Sequence, residues 1–102
     1  MDKKFTNEAL EVLYNLAKYY VWWKTPEDAL KHPEIIISQV MNIGDYSDVQ
    51  KMDHTVSKEY MRQVLLQAYA GQFDKKSWHY WHYRLGLAAP GNVPPLPQRN
   101  LT

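Results

Sequence analysis

At 102 residues the chain has room for one hydrophobic core. Its 45% hydrophobic and 23% charged content is that of a folded domain, which argues against a disordered chain. It has no cysteine, so disulfides, thiolate nucleophiles and cysteine-built zinc sites are excluded, and a formal net charge of +1 exerts no global pull on nucleic acid or membrane.

Met1-Asp2-Lys3-Lys4 is followed by Asn7, Glu8 and Glu11, where a signal peptide needs an apolar run. The longest hydrophobic runs, Tyr19–Trp23 and Ile35–Ile37, fall far short of the roughly 20 residues that cross a bilayer. The expectation is a cytoplasmic protein without membrane contact. Thr6 or Asn7 can cap a first helix, whose Leu10, Leu13, Leu16, Ala17 and Tyr20 follow i, i+3, i+4 spacing and which the aromatic stretch to Trp23 ends. Thr25-Pro26-Glu27-Asp28 opens a second, short helix with an N-cap, a proline suited to the first turn and acids that complement the dipole.

Pro33 breaks that helix at His32 and opens a third, through Ile35, Ile36, Ile37, Val40 and Met41, which Gly44 terminates. A triple Ile also suits a buried strand, but no partner strand is apparent elsewhere to pair its backbone. Asp45 to Asp48 cap a fourth helix to about Met52, and Ser57 caps a fifth that stops at Gly71. Asp74 caps a sixth from Lys75 to Leu85, closed by Gly86. Pro90, Gly91, Pro94, Pro95 and Pro97 then forbid a helix interior. The reading is an all-α bundle of five to six short helices over residues 1–87, with an extended, partly polyproline-like tail over 88–102. Its predicted core is Leu10, Leu13, Leu16, Ile36, Val40, Val64, Leu65, Trp78, Trp81 and Leu85.

Local charge is uneven. Residues 25–57 hold two lysines against six acids, while residues 58–102 hold six basic residues against Glu59 and Asp74. Such asymmetry can orient a partner, although a solvated surface produces it as well.

The stretch Ser77–Arg84 is the most conspicuous. At 100° per residue Trp78, Trp81, His82 and Leu85 share one face, with His79 and Tyr83 on its flank and Tyr80 and Arg84 pointing away. The two Trp read as core anchors with an amphipathic rim. The rim residues His79, Tyr80, Tyr83 and Arg84 read as a binding surface, since Tyr and Arg are enriched at interface hot spots. A metal shared by His79 and His82 lacks a nearby carboxylate or cysteine to complete its ligand set. Asp53-His54 resembles a carboxylate–imidazole pair, yet no nucleophile or Gly-rich phosphate loop accompanies it, so no catalytic residue, metal or cofactor is expected.

Ile35–Ile43, the Gly44 turn and Tyr46–Met52 have the proportions of a helix-turn-helix, but Asp45, Asp48 and Asp53 around the second helix would repel phosphate. Lys75, Lys76 and Arg84 among aromatics form the better nucleic-acid face.

Two stretches, Ile37–Gly44 and Ser77–Leu87 followed by Pro94-Pro95-Leu96-Pro97, together resemble a family of small bacterial proteins encoded beside abortive-infection-type nucleotidyltransferase toxins. The resemblance spans about residues 30–99, is one of wording rather than of a catalytic motif, and implies an antitoxin-like role through contact with the neighbouring enzyme. It transfers no functional residue. The expected function is thus a protein-binding module, with His79, Tyr80, Tyr83, Arg84, Pro94, Pro95 and Leu96 as partner-binding residues. A DNA-binding regulator and a structural homodimer are the alternatives.

Overall fold

Five of the six helices in the computed structural model, which describes residues 5–98, open on a polar side chain that accepts from an orphan backbone N–H. Thr6 caps α1 (Asn7–Tyr20), Thr25 caps α2 (Pro26–Ala29), Asp45 caps α4 (Tyr46–Thr55), Ser57 caps α5 (Lys58–Leu66) and Asp74 caps α6 (Lys75–Arg84). The exception, α3 (Pro33–Ile43), places Pro33 in its first turn, where the missing N–H costs nothing. No strand occurs among the described residues. The protein is an all-α bundle.

The triple Ile decides the architecture. Ile36 and Ile37 are both completely buried, with Val40 and Met41 behind them, so α3 is apolar over more than a single stripe. Such a helix belongs at the centre of a fold. It packs against each of the other five helices. Around it α1 contributes Leu13, Leu16 and Ala17, α4 Met52, α5 Met61 and Leu65, and α6 Trp78, Trp81 and Leu85.

Leu10 departs from the predicted core. It is 39% exposed, and Ala9 is buried in its place. The buried face of α1 runs Ala9, Leu13, Leu16, Ala17, and Leu10 lies about 75° from its centre, at its margin beside Ala17. Three predicted boundaries also shift. α1 stops at Tyr20, with Val21 as a buried C-cap, so Trp22 and Trp23 lie beyond the helix. α4 continues to Thr55, since nothing before Val56 breaks it. α5 ends at Leu66, and Gly71 instead serves a separate turn with φ +86°.

Gly44 ends α3, but not through a left-handed cap. Its φ is −70°, and its N–H donates to the Val40 carbonyl at 2.8 Å. Glycine is required for space, because a Cβ there would run into the Val40 carbonyl and the Val40 side chain.

Tyr20 ties α1 to the head of α4. Its hydroxyl donates to Asp48 Oδ2 at 2.6 Å and accepts the Asp45 N–H at 3.4 Å. Burial, followed by the Asp48 contact, pushes the phenol up to about 12. Unfolded Tyr20 releases its proton near pH 10, so its stabilising contribution is complete below pH 10 and is lost as pH rises to about 12. Tyr20→Phe should remove that part of the alkaline loss, read as the difference between wild-type and variant unfolding free energies across this window. Gly44→Ala should lower stability by about 1–3 kcal/mol, the cost of overpacking, in a denaturant titration.

Candidate functional site

The α6 helix is set by side chains that cap the end of α3. The last carbonyls of any helix lack intrahelical partners. Here Trp81 Nε1 donates to the Met41 carbonyl at 2.7 Å, and Ser77 Oγ donates to the Asn42 carbonyl at 2.8 Å. Asn42 Oδ1 returns the contact by accepting the Asp74 N–H at 3.0 Å. These bonds fix both the tilt and the rotation of α6, and so decide which of its side chains face outward.

Trp78, Trp81 and His82 are buried, as their shared face requires. Tyr80 and Tyr83 remain 51% and 43% exposed, on the opposite side from the Trp pair. Across from Tyr80 stand Ile43, at the end of α3, and Tyr46, at the start of α4, exposed by 59% and 80%. Together with Val49 and Lys76 they line a recess of about 380 Å³ whose floor is Trp81. Lys75 and Lys76 are exposed and have no ion pair among the described residues. The recess thus has apolar and aromatic walls and a polar edge where Lys76, Asp74, Ser77 and Asn42 line it, while Lys75 lies outside the lining. Such a mix suits a protein surface that offers an apolar side chain beside polar groups.

The predicted site residues divide into four groups. Tyr80 lines the recess, and Tyr83 lies one turn further along the exposed side of α6. His79 is half-buried: its Nδ1 donates to the Lys75 carbonyl at 2.9 Å and its ring packs edgewise on Tyr83 at 6.3 Å. Arg84 is committed elsewhere, to Asp53 Oδ2 at 2.7 Å, which fastens α6 to α4. Pro94 and Pro95 are exposed, whereas Leu96 is half-buried against the protein's own core. Residues 99–102 of the tail lie outside the described residues.

Ile43 and Tyr46 were not among the predicted site residues. Their signal was present nonetheless: the Ile36, Val40, Ile43 stripe runs right up to the Gly44 turn, beyond the point where neighbours can cover it.

The other chemistry weighed from the sequence is accounted for locally. The Asp53 carboxylate faces Arg84 and, at 3.7 Å, the Lys58 ammonium, while His54 is exposed. His82 Nδ1 donates to the Trp78 carbonyl at 2.7 Å, so both α6 imidazoles turn back on their own helix. Among the described residues no three His, Asp or Glu side chains come together as metal ligands. In the α3–α4 pair the lone lysine of the second helix, Lys51, sits 3.9 Å from Asp48. A second, wider recess of about 700 Å³ lies on α5, rimmed by Glu34, Glu59, Gln63, Gln67 and Tyr69.

No family model, curated protein or solved structure matches the chain.

The Arg84–Asp53 pair should prove structural. Asp53 is 15% exposed and its Oδ1 has no hydrogen-bond donor, so it depends on Arg84 and Lys58 to offset its desolvation. A double-mutant cycle with Arg84→Ala and Asp53→Ala should give a coupling of about 1 kcal/mol in thermal or chemical unfolding. A coupling near zero would mean that α6 is held by its other contacts, those of Trp81, Ser77 and Asp74 with the end of α3 and of Arg62 with the Leu85 carbonyl, without help from this pair.

Proposed function

We propose that this chain is a non-catalytic protein-binding module of the antitoxin type, whose partner is a nucleotidyltransferase toxin. The recess between Ile43, Tyr46 and Tyr80 carries the reading. Three large apolar or aromatic side chains surround it in the free protein, and of the unpaired Lys75 and Lys76 the second lines it, next to the Asp74 carboxylate. Exposed aromatics that converge on one concavity are the usual anchors of an interface, and partner carboxylates would complement the lysines. Nucleotidyltransferases hold metal-binding carboxylates, which are such a patch.

The resemblance supports the same place. Its two stretches, Ile37–Gly44 and Ser77–Leu87, are far apart in sequence, yet they meet through Trp81 and Met41 and through Ser77 and Asn42. The recess is built where they meet. A DNA-binding regulator draws on the same two lysines, and the two readings differ in their response to salt. Phosphate contacts weaken steeply as salt rises, whereas an aromatic anchor responds little.

The test is first whether the gene beside this chain encodes a nucleotidyltransferase, since its absence would overturn the reading, and then co-expression of the chain with that enzyme. The wild type should co-purify with it and suppress its toxicity. Tyr46→Ala with Tyr80→Ala should weaken the complex by about 30-fold or more, the loss of one hot spot, while leaving the melting temperature in place. Undiminished capture by that double variant, or duplex DNA binding with a steep salt slope, would overturn the reading.

A further inference from the structure

The tail leaves α6 through two left-handed glycines. Gly86, at φ +71°, follows the C-cap Leu85, with the Gly86 N–H on the Tyr83 carbonyl at 3.1 Å and the Leu87 N–H on the His82 carbonyl at 2.9 Å. That pattern closes a helix and reverses the chain. Gly91, at φ +86°, sits in a second turn that the Asn92 N–H closes on the Ala89 carbonyl at 2.9 Å. Residues 92–98 then run back across the bundle without helix or strand.

The returning segment is held in a particular way. Val93 and Leu96 are half-buried against the core, while Pro94 and Pro95 between them are exposed. A period of three matches a polyproline helix, in which every third residue shares an edge. Pro94, Pro95 and Pro97 have no N–H and a fixed φ, so the strip offers only carbonyls and loses little conformational freedom on docking. Opposite it, Trp78 donates its indole N–H to the Pro94 carbonyl at 2.8 Å. Phe73 and His82 stand beside the Trp78 ring, at centroid distances of 6.0 and 4.4 Å. An aromatic wall, one N–H donor aimed at a proline carbonyl, and apolar seats three residues apart make up a polyproline-recognition surface.

We infer that the face of α6 around Trp78 is a recognition site for a proline-rich extended segment, and that residues 93–97 of the chain's own tail are its ligand. Trp78 and Tyr80 point about 200° apart around the helix, so this site is separate from the recess at Tyr80. Tethering sets the tail's effective concentration in the millimolar range, which keeps the site filled even if its intrinsic affinity is weak. The tail is thus a strap that can lift and reseat while the bundle stays folded.

The full-length chain can test this with a synthetic peptide of residues 88–102. Val93→Ser with Leu96→Ser should unseat the strap, and the Trp78 indole N–H resonance should then move toward that of Trp22, which is 75% exposed. Adding the peptide should return that resonance saturably to its wild-type position. The wild-type chain should bind the peptide at least about tenfold more weakly, and Trp78→Phe in the unseated chain should weaken it about tenfold. A peptide carrying the same two Ser substitutions should not bind. A folded, unseated variant that takes up no peptide would overturn the inference. If the variant unfolds, hydrogen exchange of the Trp78 indole in the wild type decides. Exchange through an opening smaller than global unfolding supports a strap, and exchange only through global unfolding refutes it.

Discussion

The end of α3 is where this fold is decided. Val40, Met41 and Asn42 present carbonyls at a helix terminus, in a region too buried for water to satisfy all of them. The Gly44 N–H takes the first, the Trp81 indole the second and the Ser77 hydroxyl the third. Two of the three partners come from a helix more than thirty residues away. The capping of α3 and the docking of α6 are therefore one event. The bare Cα of Gly44 belongs to the same arrangement, because the chain must leave tightly against Val40 before it can start α4.

This coupling explains what could be read from the sequence and what could not. Helix starts depend on a cap and its own next turn, so Thr6, Thr25, Asp45, Ser57 and Asp74 were each visible locally. Helix ends and flank positions depend on neighbours. Leu10 fits the spacing of α1 but stays 39% exposed, and α5 stops at Leu66 although no breaker appears before Gly71. The helical reading of Ile35–Ile37 rested on the absence of a partner strand, and the bundle supplies the positive reason: α3 has neighbours on most sides. The candidate site was half legible. Tyr80 and Tyr83 follow from the periodicity of α6 alone, whereas their juxtaposition with Ile43 and Tyr46 exists only once α6 stands on the end of α3.

Composition is equally mute on where the four Trp residues go. Trp78 and Trp81 are three apart on the inward face of a helix, and each indole N–H finds a carbonyl. Trp22 and Trp23 follow the buried C-cap Val21, stack edge-on at 5.6 Å and stay exposed. Burying a Trp requires a partner for its N–H as much as room for its ring. In α6 the partners are the unsatisfied end of another helix and a proline carbonyl of the tail.

Those two acceptors differ in kind, and the difference bears on how α6 works. The Met41 carbonyl is part of a packed helix and cannot leave without exposing Ile37 and Val40. The Pro94 carbonyl belongs to a segment joined to the bundle through glycine turns and seated by two aliphatic side chains. Trp81 is therefore bonded to the frame and Trp78 to something the frame can release. A helix whose inward face is anchored at one Trp and only covered at the next can have its cover exchanged while its opposite face, with Tyr80 and Tyr83, stays in position. Contact with a partner at the recess and occupancy at Trp78 would then be coupled only through the rigid body of α6. Since Trp81 holds that body in place, the two contacts should behave as nearly independent.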